Sequence, residues 1–226
     1  MARSKLQTFL YENGLSLVLL VLFAASLVGQ FLAGHRVYNE EQKQHGGSEV
    51  TLSEYIFSGD SLEAVFENWE SEFLQMALYV ILTVSLRQKG SSESKGMGDK
   101  PEPVDEDPRK HRKDANAPWP VKRGGWVLVL YEYSLSIALL LLFIVSWILH
   151  AVHGARKLCE EEMLHGGSCE STSAYMGSAT FWFESFQNWQ SEFLSVAAIV
   201  LLSIFLRQRG SPESKPVHAP HRETES

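Results

Sequence analysis

From Leu10 to Lys95 the chain lies without a gap on Leu130 to Lys215, a shift of 120 positions. One stretch of likeness is Asn68-Trp69-Glu70-Ser71-Glu72-Phe73-Leu74 against Asn188-Trp189-Gln190-Ser191-Glu192-Phe193-Leu194. Each copy leads into an apolar run and ends in a basic signature, Leu86-Arg87-Gln88-Lys89-Gly90-Ser91 or Leu206-Arg207-Gln208-Arg209-Gly210-Ser211. A period this long exceeds the common solenoid repeats. It predicts a duplicated unit, with repeat one over residues 1–95 and repeat two over 123–215.

What each unit contains follows from its apolar runs. About 20 apolar residues cross a hydrocarbon core of roughly 30 Å as a helix, which satisfies its own backbone. Runs over residues 10–34 and 126–152 meet that length, and runs over 69–87 and 189–207 meet it once the Trp-bearing turn is included. The expectation is therefore an all-α polytopic membrane protein with four transmembrane helices arranged as two parallel tandem repeats. The first run, with Arg3 and Lys5 before it, has the outline of a signal peptide. It is long for one, and its counterpart lies mid-chain, so it is read as a span.

Between the spans of each repeat lies a polar segment. Thr51-Leu52-Ser53-Glu54 and Asp60-Ser61-Leu62-Glu63 have the spacing of capping boxes, which predicts short amphipathic helices in these loops. Residues 96–122 are rich in Gly, Ser, Pro and both signs of charge, the composition of a flexible linker, and 216–226 reads as a disordered tail.

The net charge of −7 averages over segments of opposite sign. Lys and Arg gather at the N-terminus, in the linker and in the tail, whereas the interhelical loops are acidic or mixed. Because basic flanks stay inside, both termini are expected in the cytoplasm. Membrane lipid is then the first partner, with a protein partner or a second copy as the next. The mixed charge gives no reason to expect nucleic acid.

Three groups of residues are candidates for function. Glu12, Ser16 and Ser26 share one helical stripe with Leu19, Phe23 and Gln30, and Glu132, Ser136 and Ser146 occupy the same stripe in repeat two. Small polar residues on such a stripe suit close helix packing, while an intramembrane carboxylate is also a functional candidate. Trp69 and Trp189 read as interfacial anchors, followed by Glu72 and Glu192 in a first helical turn, where the dipole favours carboxylates. Cys159 and Cys169 flank a glycine turn in a loop expected to face an oxidising compartment, which predicts a disulfide.

Other chemistries find less support. Glu41, His45 and Glu49 in one loop and Cys159, His165 and Cys169 in the other are different ligand sets, so no shared metal is expected. His150 and His153 end the third span, and the matching positions, Gln30 and Ala33, offer no opposing haem ligand. They read as solvent-exposed polar caps. Phosphate-binding loops, nucleophile elbows and zinc-protease helices are missing from the sequence. No catalytic residue or cofactor is expected.

Asn188 to Leu194, Leu206 to Val217, Asp105-Glu106-Asp107-Pro108-Arg109 and Ala117-Pro118-Trp119-Pro120-Val121 together resemble an uncharacterised domain-of-unknown-function family of bacterial integral membrane proteins. The resemblance implies a bacterial membrane protein, which with both termini inside is expected in the cytoplasmic membrane, and supplies no activity. The sequence thus points to a non-enzymatic structural or interaction protein of the envelope. The alternative is a small transporter or proton-conducting protein that uses Glu12 and Glu132.

Overall fold

The structure, a computed structural model, describes residues 4–98 and 102–224. Arg3, residues 99–101 of the linker and 225–226 of the tail lie outside the described residues. Every regular element described is helical: α1 (Lys5–Gln44), α2 (Leu52–Ile56), α3 (Gly59–Ser85), α4 (Trp119–Arg123), α5 (Gly125–Glu132), α6 (Ser134–Leu164), α7 (Thr172–Met176) and α8 (Ala179–Phe205). Short 3-10 turns cover Pro103–Asp105 and Pro108–His111. Three helices, α1, α6 and α8, are long and apolar enough to cross a membrane. The fourth long helix, α3, carries Asp60, Glu63, Glu67, Glu70 and Glu72 in its first half and is uncharged only from Phe73.

Helix bounds differ from the apolar runs for local reasons. Ser4 opens α1 as N-cap, accepting from the Gln7 amide at 3.2 Å while the Gln7 side chain accepts from the Ser4 amide at 3.0 Å. The helix then continues ten residues past Gly34, since Tyr38-Asn39-Glu40-Glu41-Gln42 contains no breaker. Repeat two breaks instead at Tyr133, between α5 and α6, where the Ser134 hydroxyl donates to the Tyr131 carbonyl at 2.8 Å. A hydroxyl taking a carbonyl in this way competes with the helical ladder.

The chain divides into two compact units. One comprises the chain up to Val65 with Ala151–Met176. In it Thr51 and Glu54 form a reciprocal capping box that starts α2. Tyr55 and Tyr175, at matching positions of the two repeats, are buried to 4% and 2% exposure. Each lies on a helix glycine. A Cβ on Gly34 would stand 2.1 Å from the Tyr55 hydroxyl oxygen, and one on Gly154 would stand 2.5 Å from that of Tyr175. Burial, with Asp60 beside it, pushes the Tyr55 hydroxyl up to about 12.

The loops of this unit are closed in two ways. Asn39 accepts from the Val50 amide at 2.8 Å and donates to the Val50 carbonyl at 3.1 Å. Cys159 and Cys169 are joined by a disulfide.

The second unit comprises Phe66–His150 and the chain from Gly177. The basic signatures fold here into matching turns: the Gln88 amide donates to Ser94 at 2.8 Å, and the Gln208 amide to Ser214 at 2.9 Å. After the second turn the Lys215 side chain is buried and donates to the carbonyls of Pro220, His221 and Glu223 at 3.3, 3.2 and 2.8 Å. Those three bonds order residues 216–224 around one ammonium. Burial lowers the Lys215 pKa. In the linker, Asp114 and Glu106 flank His111 and raise its pKa.

Candidate functional site

The residues that the sequence marks by identity do not come together. Glu12, Ser16 and Ser26 are exposed on α1, which buries none of its residues. Glu132 is exposed at the end of α5, Ser136 is half-buried, and Ser146 is buried on α6. Glu72 is exposed, Trp69 stands edge-on to Phe66, and the Glu192 carbonyl accepts from the Gln75 amide nitrogen at 3.0 Å. Only Trp189 leads to a concentrated polar centre.

That centre lies in the second unit and is built by three helices. His150, on α6, is fully buried, which corrects its reading as a solvent-exposed cap. Ending an apolar run says where a residue sits along a helix and not which way it faces. Its Nδ1 lies 2.7 Å from an oxygen of Glu70 on α3, and its Nε2 lies 3.5 Å from an oxygen of Glu184 on α8. The second oxygen of Glu70, also fully buried, accepts from Trp189 Nε1 at 3.1 Å. One turn earlier on α3, Glu67 accepts from the Asn188 side-chain amide.

Aromatic rings close over the group. The Phe181 ring centre is 4.8 Å from that of the imidazole, and Trp147 stands 5.7 Å from Phe181. Such walls exclude water and strengthen the interactions inside. A buried charge is tolerated only when paired and hydrogen-bonded. An imidazole flanked by two carboxylates meets that condition: as imidazolium it donates to both, and as neutral imidazole to one. The arrangement therefore holds a proton, or a positive charge, at one fixed point among three helices.

The signal for this centre lay where the repeats differ. His150 corresponds to Gln30, Glu70 to Gln190, and Glu184 to Ala64. The matching positions are thus neutral throughout. Comparing identical positions passes over all three ionisable residues, whereas listing the exchanges between neutral and ionisable ones finds them.

These features define an all-helical protein with membrane-length helices and a buried histidine–carboxylate centre. Residues 6–226 match the family described as Domain of unknown function (DUF6766), and the chain belongs to that family. No curated protein and no solved structure matches it.

Proposed function

We propose that the chain is a four-span protein of the bacterial cytoplasmic membrane, with both termini inside, that works by assembling with a second copy of itself rather than by catalysis. Two observations support the architecture. Helices α7 and α8 begin and end 120 positions after α2 and α3, as a duplication requires. The acidic first half of α3 also loses part of its cost as a span where Glu70 is paired with His150.

The assembly reading is carried by α1, which presents Glu12, Ser16, Ser26 and Gln30 on one face with no residue buried. The matching positions Ser146 and His150 on α6 are buried within the chain. In a bilayer, polar groups on a helix seek a partner helix, and a second copy offers one with matching chemistry. Single cysteines at Ser16 and Ser26 should cross-link in native membranes into dimers. Equal yields from Val21→Cys or Val28→Cys, on the opposite face, would remove this interface.

Proton transfer is a second reading, favoured by His150 between two carboxylates in a membrane-length helix. Here His150→Gln, which copies repeat one, should abolish proton flux in proteoliposomes, while Glu132→Gln should not. Undiminished flux in the His150 variant would take the centre out of any conduction path.

A further inference from the structure

The loop turns His45-Gly46-Gly47-Ser48 and His165-Gly166-Gly167-Ser168 carry one histidine each, and neither loop alone offers a convincing ligand set. In the first unit the two histidines meet. Their rings stand edge-on with centres 5.3 Å apart, and both line a cavity of about 350 Å³. We propose that this cavity binds one divalent transition-metal ion of the zinc class, held by His45 and His165 with carboxylate ligands from Glu41 and Glu161.

The spacing fits such an ion. Two imidazoles on a tetrahedral zinc, each nitrogen about 2.0–2.1 Å from the metal, hold their ring centres roughly 5 Å apart. The surroundings suit a cation as well. The cavity is lined by Glu41, Asp60, Glu160, Glu161 and Glu162 against the single ammonium of Lys157. Some of these are engaged elsewhere: Lys157 lies 3.6 Å from Asp60, and Arg156 is bonded to Glu160 at 2.8 Å. Glu41 and Glu161, each four residues before its histidine, line the same cavity from the same helix ends, and turning their exposed side chains toward the histidines on binding completes the ligand set. Those ends are the C-termini of α1 and α6, whose dipoles favour positive charge.

Both histidines also sit inside closed loops. The Asn39 clamp on Val50 encloses His45, and the Cys159–Cys169 disulfide encloses His165. Preorganised ligands lower the ordering cost of binding. Mixed imidazole and carboxylate ligation selects zinc, copper or nickel over calcium or magnesium.

The experiment is calorimetric titration of the full chain in detergent, disulfide intact, with Zn²⁺ and separately with Mg²⁺. One Zn²⁺ per chain is expected and no Mg²⁺. His45→Ala and His165→Ala should each weaken Zn²⁺ binding by at least about tenfold, the lower bound for disturbing even the support of a ligand. His218→Ala, in the tail, should leave it unchanged. Retention of the disulfide by intact mass and of the thermal transition shows that a variant has folded. Absence of stoichiometric Zn²⁺ binding, or wild-type affinity in either folded loop variant, overturns the site.

Discussion

Residues 39–50 and 159–170 form two loops of nearly the same course, closed by different chemistry. The first is held by the Asn39 side chain on the Val50 backbone, with Lys43 and Glu49 paired across it. The second is held by Cys159 and Cys169. Cys159 stands where repeat one has Asn39, and Cys169 where it has Glu49. A hydrogen-bonded clamp yields to competition from water, whereas a disulfide yields to reductant. The pair shows that this turn needs closure and leaves the means open.

The largest effect should come from reduction, or from Cys159→Ser with Cys169→Ser. Losing the bridge should cost the second loop about 2–4 kcal/mol. Hydrogen exchange should rise across 159–170 and stay level across 39–50; a rise in both loops would mean that closure is shared. Next comes Gly154→Ala, and with it Gly34→Ala. Alanine gains about 1 kcal/mol of helix propensity over glycine. That gain should be outweighed by overpacking against Tyr175 or Tyr55, typically 1–3 kcal/mol, and a raised thermal midpoint would refute the clash. Asn39→Ala follows, at roughly 1–2 kcal/mol for two hydrogen bonds to backbone. Its loosening should be confined to 39–50, and Asn39→Cys with Glu49→Cys should restore closure under oxidising conditions.

The smallest effect is one of pH. Glu54 has a lowered pKa because the Thr51 backbone and hydroxyl donate to it, whereas repeat two has Ala174 at that place. A carboxylate with a depressed folded pKa adds stability above its unfolded value, near 4.5, and loses it as pH falls through the folded value. Acidification below that point should therefore fray α2 and spare α7, whose Ser171 cap accepts from the Ala174 amide without a carboxylate. Equal fraying of both, followed by amide exchange, would show that the box adds nothing.

How far the sequence discloses this molecule depends on the kind of residue asked about. Thr51 and Glu54 act over one helical turn, so their capping box is legible from spacing alone. The apolar runs of α1, α6 and α8 are legible for the same reason. By contrast, the start of α3 at Gly59 depends on residues that are polar yet helical, and the Trp69 turn gives no sign of it. His150 is the least legible of these residues. Its burial comes from Glu70, Glu184 and Phe181, which lie 80, 34 and 31 positions away, and no local pattern encodes that meeting. His45 and His165 are likewise separated by a whole repeat.

Helix α1 is one uninterrupted rod of 40 residues. At 1.5 Å per residue its His45 end lies about 30 Å from the midpoint of the apolar run near Ala24. In a bilayer such a rod is a lever with its fulcrum in the lipid. A tilt change of about 10°, small beside the range that membrane helices show, swings that end by roughly 5 Å. Were α1 to cross a membrane, bilayer thickness would become a mechanical input to the loop at its tip.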